Sequence, residues 1–313
     1  MRNTLLTFTI ILLFNNVIAF NGNKNTQDST VVLSTKTGDI FGTVCLPMSF
    51  YKGPVVLIIA GSGPTDRNGN STFTKNNNLK FIAQNLADSG IASLRFDKRG
   101  IGQSAAAMKS ERDLIFEDYI SDVKQWIIFL QKDTRFTKII IAGHSEGSLI
   151  GMVAATEADK YISISGAGEP IAFTLKKQLK TQPDTIKKMS NTIIDSLSEG
   201  HEVKNVPLLL FSLFRPSVQP YLISWFKYNP VAEIAKLKIP VLIIQGDKDL
   251  QVNEENAHQL NEACPNSKLV VLQNMNHVLK TVSDEKDNSK SYKEAERPLH
   301  PELIREMVSF IKQ

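Results

Sequence analysis

Cysteine is scarce in this chain: Cys45 and Cys264 are the two among 313 residues. Two cysteines build no disulfide framework, and no Cys/His spacing of a zinc site accompanies them, so both read as free, buried or half-buried thiols. His144-Ser145-Glu146 has the H-x-E form of a zinc deaminase, but the P-C-x-x-C that would complete such a site is missing. No metal is therefore expected. Long runs of one charge are missing too. The formal net charge is +4, and the lysines are scattered, with pairs at Lys176-Lys177 and Lys187-Lys188. A nucleic-acid groove needs a concentrated basic stripe, so no nucleic-acid partner is expected. Beyond residue 20 no apolar run is long enough to span a bilayer, which needs ~20 residues. Internal repeats and low-complexity tracts are absent as well.

What is present is an ordinary globular composition, 42% hydrophobic and 22% charged. The N-terminus stands apart. Arg2 precedes an apolar run of ~10 residues, Leu5 to Phe14, and Val17-Ile18-Ala19 offers small residues for cleavage after Ala19. Residues 1–19 are thus expected to be a signal peptide, and the chain secreted or periplasmic, with no stable membrane span after cleavage. An uncleaved anchor is the alternative, against which Asn15 and Asn16 interrupt the run.

Downstream, Val31-Val32-Leu33 and Ile40 to Val44 flank Thr37-Gly38-Asp39 and predict a β-hairpin after a loose polar lead-in over 20–28. Continuous apolar runs then alternate with helical periodicity. Strands are predicted at 55–60, 91–96, 138–142, 161–165, 240–245 and 268–272. Helices are predicted around 79–86, 119–130, 146–157, 254–262 and 301–311. This alternation predicts an α/β fold with a mostly parallel central sheet. The segment 166–238 interrupts it. Its helical stretches are broken by Pro207, Pro216, Pro220 and Pro230, which predicts a helical lid inserted in a core formed by 20–165 and 239–313.

Gly143-His144-Ser145-Glu146-Gly147 is a G-x-S-x-G between the run Ile139-Ile140-Ile141 and an apolar helix. A nucleophile elbow needs that placement: the serine sits in a strained turn, and the flanking glycines let strand and helix approach. Ser145 is the expected nucleophile; a serine that merely caps the helix is the bland reading. A serine hydroxyl needs a base, and the base an orienting acid. The chain has five histidines. His144 is expected to point away from Ser145, His201 falls in the insert and His258 in a helix. His277, in a short loop after strand 268–272, is the expected base, with His300 in reserve. Asp247 and Asp249 both follow strand 240–245, and spacing does not separate them. Oxyanion donors are expected from the backbone N–H of Glu146 and from Ser62 or Gly63 in Gly61-Ser62-Gly63-Pro64-Thr65. Among the insert's aromatics, Trp225 is the candidate for a substrate-pocket wall; such rings otherwise form the insert's own core.

These motifs together resemble the α/β-hydrolase superfamily, in particular secreted esterase-like proteins with a G-H-S-E-G elbow. Asp97-Lys98-Arg99-Gly100-Ile101-Gly102-Gln103-Ser104 is similar to the superfamily's D-x-R-G-x-G-x-S segment, and Asn276-His277 to its histidine loop. Gly246-x-x-Asp249-x-x-Val252 resembles its G-x-x-D-x-x-V loop, which implies Asp249 as the acid. The resemblance implies hydrolysis of a small-molecule ester through an acyl-enzyme, with no metal or organic cofactor. A peptidase, amidase or thioesterase on the same triad is the alternative, and a non-catalytic binding protein on this scaffold the remoter one. Two rival motifs are set aside. Gly100-x-Gly102-x-x-Ala105 with Asp122 mimics a dinucleotide fingerprint, but Asp-Lys-Arg separates strand from glycines. Asn70-Ser71-Thr72 is a glycosylation sequon of a kind that arises by chance. Oligomeric state has no signature in the sequence.

Overall fold

The computed structural model describes residues 26–313. The expected signal peptide and its cleavage point after Ala19 lie outside the described residues.

The described chain begins with a hairpin, β1 (Thr26–Thr35) and β2 (Gly38–Pro47), paired antiparallel along its whole length. β1 takes in Thr26 to Asp28, part of the expected lead-in. Those residues are polar, so the strand is extended there by its ladder with β2 and by Arg95, which holds Asp28 at 2.8 Å. Strand and helix then alternate: β3 (Gly53–Ile59), α1 (Asn78–Asp88), β4 (Ala92–Phe96), α2 (Phe116–Gln131), β5 (Phe136–His144), α3 (Glu146–Ala154) and β6 (Lys160–Ile164). Five helices follow: α4 (Ile171–Gln178), α5 (Asp184–Ser198), α6 (Phe211–Phe214), α7 (Gln219–Phe226) and α8 (Pro230–Ile234). β7 (Val241–Gly246), α9 (Glu254–Ala263), β8 (Lys268–Leu272), α10 (Glu285–Ser291) and α11 (Pro301–Lys312) complete the chain.

The eight strands form one sheet in the order β1-β2-β4-β3-β5-β6-β7-β8. β1 and β2 are antiparallel at one edge, and the other six run parallel. Because β3 lies between β4 and β5, the chain reverses its direction of winding there, and the C-terminal ends of β3 and β5 sit side by side. Such a reversal opens a crevice at the strand ends where α/β sheets place their ligands.

The apolar runs are long because both sheet faces are covered. Ile139 and Ile141 of β5 join Trp126, Val123, Leu149 and Leu260 on one face. Ile140 and Ala142 join Leu86, Leu303, Met307 and Phe310 on the other. Burial of a side chain of this size contributes about 1.5–3 kcal/mol. Cys45 belongs to the second cluster and Cys264 to the first, so the sheet separates them, and both are free.

The helices α4 to α8 occupy the span expected of the insert. Ile193, Leu197, Phe214, Tyr221 and Leu222 extend the first cluster. Polar ties reinforce that packing. Ser224 Oγ accepts the Phe116 N–H at 2.7 Å, Arg112 clasps Glu202 at 2.8 Å, and Arg215 and Ser217 both reach Glu111. α10 was not expected, because Glu-Lys-Asp-Asn-Ser-Lys-Ser has no apolar period. Asp284 caps it by accepting the Asp287 N–H at 2.8 Å, and the polar side chains of Asn288 and Ser291 are what it buries. No helix among the described residues is long and apolar enough to cross a membrane.

Candidate active site

Ser145 occupies the tight turn between β5 and α3, with φ 56° and ψ −121°. A non-glycine residue at positive φ is strained, and this strain is the mark of a nucleophile elbow. The turn closes because Gly143 and Gly147 lack side chains: a Cβ on Gly143 would lie 2.2 Å from the Gly147 carbonyl oxygen, and one on Gly147 2.5 Å from that of Ile59. Ser145 N–H donates to Ile164 of β6 at 3.0 Å, which fixes the turn to the sheet. The serine is half-buried among buried neighbours.

The pairing Ile59↔Gly143 sets the loop after β3 against this turn. A Cβ on Gly61 would stand 3.1 Å from Ser145 Cβ. The loop is anchored from below. Asp97 accepts from the Arg67 N–H at 2.8 Å and from the Arg67 guanidinium at 2.7 Å, and Arg67 also reaches Gln103 at 2.5 Å. The Asp97–Ser104 segment thus works as a footing for the Gly61 loop. Ser62 and Gly63 are exposed at its tip, with Gly63 at φ 70°. Among the described residues, the backbone N–H groups of Ser62, Gly63 and Glu146 donate no hydrogen bond.

Across β6, the pairing Gly246↔Leu272 lays the loop after β7 beside the loop after β8. There Asp249 Oδ2 is 2.7 Å from His277 Nδ1, with the carboxylate wholly buried. Burial alone would raise the Asp249 pKa. The His277 charge, the His277 hydrogen bond and the N–H groups of Val252 and Gln251 outweigh it, and the net shift is downward. Buried Gln245 adds a further donor to Oδ2 at 3.2 Å. Asp247, the other candidate, accepts the Asn274 N–H and pairs with Lys248 at 3.2 Å, so it braces the turn. His300 is also accounted for. Its Nδ1 accepts the Glu302 N–H at the start of α11, and its Nε2 meets the Gln273 carbonyl at 3.1 Å. Among the described residues no hydrogen bond joins the Ser145 hydroxyl to the His277 ring; contacts of this kind tighten in the Michaelis complex.

α10 buttresses both loops at once. Asn288 donates to the Lys248 carbonyl at 2.8 Å and accepts from Asn276 at 2.8 Å, and Asn276 also donates to Ser291 at 2.7 Å. This small polar hub sets the acid loop against the histidine loop.

Four other residues singled out in the sequence have defined places here. His144 meets the histidine loop: its Nε2 is 2.8 Å from the His277 carbonyl, and the two rings are 4.9 Å apart. Chain position alone gives no sign of that bond, because its acceptor lies in the loop after β8. Trp225 stacks on Phe116 at 5.7 Å and meets Tyr221 at 5.8 Å, so its ring seals the insert against α2. Asp122 of the dinucleotide-like stretch is bound by the Arg99 guanidinium, with 2.8 Å from Nε to Oδ2, and Asn70 of the sequon is the hub of its own loop.

Residues 76–209 match the family described as Hydrolase_4, serine aminopeptidase, S33. Esterase EstD of Thermotoga maritima is 28% identical over 247 residues, covering 76% of this chain. The chain spans only 57% of that relative's length. In structure, Est1E of Butyrivibrio proteoclasticus with ferulic acid bound superposes with a TM-score of 0.61 at 17% identity, covering 90% of this chain and 99% of Est1E. The Pyrococcus furiosus esterase Pf2001 gives 0.57 at 16% identity, covering 91% and 92%. The chain shares the fold of these esterases.

No group of three or more His, Cys, Asp or Glu side chains among the described residues is placed to hold a metal ion. Sequence reasoning missed His144, Gln245 and Asn288 as neighbours of the site, and it used Glu146 only for its backbone. Nothing periodic marks any of them.

Proposed function

We propose that the chain is a carboxylic-ester hydrolase working through an acyl-enzyme. The reading is carried by one observation: a strained, half-buried serine in an elbow shares the sheet's C-terminal edge with a buried Asp249–His277 pair. Asp249 engages Nδ1, which leaves Nε2 of His277 as the proton acceptor. Ser145 Oγ attacks the ester carbonyl carbon as its proton passes to Nε2. The oxyanion is held by the backbone N–H of Glu146 and the Ser62-Gly63 turn. Collapse breaks the bond to the alcohol oxygen, which takes the proton from His277. Water then gives a proton to His277 and attacks the acyl carbon, and the acid leaves as Ser145 recovers its hydrogen.

The test is turnover of short-chain aryl esters by wild type and Ser145→Ala, with fluorophosphonate labelling of both. We expect labelling of wild type alone and a loss of at least ~10³-fold in the variant. A variant within about tenfold of wild type removes Ser145 from the chemistry. An unlabelled but folded wild type favours a binding protein. The description of the matched family as serine aminopeptidases supports a second reading, amide-bond hydrolysis by the same residues. A panel of aryl esters, thioesters and aminoacyl anilides ranks the readings by kcat/KM. We also propose export with cleavage after Ala19; a mature chain still beginning at Met1 overturns it.

A further inference from the structure

Lys98, two residues beyond β4, is 1% exposed. A lysine is rarely buried without a task, because taking an ammonium out of water is costly. Its Nζ donates to the Gly61 carbonyl at 2.7 Å and to Glu146 Oε2 at 2.7 Å, and it stands 4.8 Å over the Tyr119 ring. Glu146 is buried too, and its other oxygen accepts the Tyr221 hydroxyl of α7 at 2.5 Å. Gly61 directly precedes the Ser62-Gly63 turn, and Glu146 directly follows Ser145. A single ammonium therefore clamps together the two backbone segments that carry the oxyanion donors. Tyr221 extends the clamp into the insert.

We propose that Lys98 is a positioning residue that holds the two walls of the oxyanion hole at a fixed separation, through the chain Gly61–Lys98–Glu146–Tyr221. The proposal rests on the esterase reading above. Stability alone gives little reason for this arrangement, since a buried ion pair adds little over apolar side chains of the same size. Geometry gives a strong one. Donors act through placement relative to an oxygen that becomes charged only in the transition state, and an error of ~1 Å costs ~10²-fold. Lys98 touches no substrate atom in this scheme.

The experiment compares wild type, Lys98→Met/Glu146→Gln and Tyr221→Phe. The double variant removes both charges together and so leaves none buried alone. Each protein is first titrated with a fluorophosphonate, and rates are given per labelled serine. The readouts are kcat and KM for an aryl acetate and the Ki of an aryl trifluoromethyl ketone, whose hemiketal oxyanion occupies the hole. For the double variant we expect kcat to fall ~10²-fold, KM to stay within about threefold, and Ki to rise by about the same factor as kcat falls. A double variant with kcat and Ki within about threefold of wild type overturns the proposal, and so does a loss of kcat with unchanged Ki. Should the double variant not fold, Tyr221→Phe decides. A loss of about fivefold or more in kcat with a matching rise in Ki supports the clamp, and anything smaller overturns it. A wild type that is neither labelled nor active sinks the esterase reading instead, which keeps the two failures apart.

Discussion

The ring of His144 lies 4.9 Å from that of His277, and its Nε2 meets the His277 carbonyl at 2.8 Å. His144, next in the chain to Ser145, thus supports the backbone of His277. Burial, joined by repulsion from His277, lowers the His144 pKa from 6.5 to about 4. The neutral ring with Nε2–H donating is the form this contact requires.

That shift has a direction in stability. The unfolded chain takes up a proton at His144 near pH 6.5, and the folded chain only near pH 4. Between these values the unfolded state binds more protons, so stability is full above 6.5 and is lost as pH falls toward 4. The loss from this group amounts to about 3 kcal/mol. Urea midpoints measured across that window should fall for wild type and fall much less for His144→Gln, which keeps an amide donor. Equal slopes would contradict the account.

Asp249 and Asp247 differ by two positions and should differ by orders of magnitude in effect. Asp249 orients His277, whereas Asp247 accepts from the Asn274 backbone. Asp249→Asn should lower kcat by roughly 10³–10⁴-fold through the wrong imidazole tautomer. Asp247→Asn should cost less than about tenfold, through a loosened turn. Steady-state kinetics on the two variants checks the order, and its reversal would move the acid.

Two glycine substitutions should separate folding from chemistry. A Cβ on Gly147 would meet the carbonyl oxygens of Ile59 and Ala60 at 2.5 and 2.6 Å. Both belong to backbone that cannot yield, so Gly147→Ala should cost at least ~1–3 kcal/mol in denaturant unfolding. A Cβ on Gly61 would press on Ser145 Cβ at 3.1 Å. Gly61→Ala should keep its melting temperature more nearly and lose ~10–10²-fold in kcat.

Both cysteines should be silent in the native protein. Cys45 is fully buried, and burial, aided by the Asp28 charge, pushes its thiol up to about 12; burial raises Cys264 as well. An aromatic disulfide reagent should label neither thiol at neutral pH and both in guanidinium. Native labelling of Cys45 would place its strand edge in solvent.

Some of this was legible in the residues alone. The hairpin, the six apolar strands, the long helices and the elbow at Ser145 each leave a local trace: a period of two or 3.6, or glycines flanking a serine. The acid was not separable by spacing, because Asp247 and Asp249 follow the same strand; only the resemblance of the Gly246–Val252 stretch pointed to Asp249. α10 was invisible because it buries polar side chains, and the start of β1 because its residues are polar and held by ladder bonds.

The amino-acid order by itself determined the parallel sheet, the strained turn and the short set of candidate site residues, since these follow from backbone sterics and burial along contiguous segments. Which polar groups meet was decided only when β3, β5, β7 and β8 came into register. His144 on the His277 backbone, Asn288 between two loops and Lys98 between Gly61 and Glu146 join residues 12 to 133 positions apart. Such bonds have no period and arise from shared burial, where an unpartnered polar group would cost more than the bond it makes.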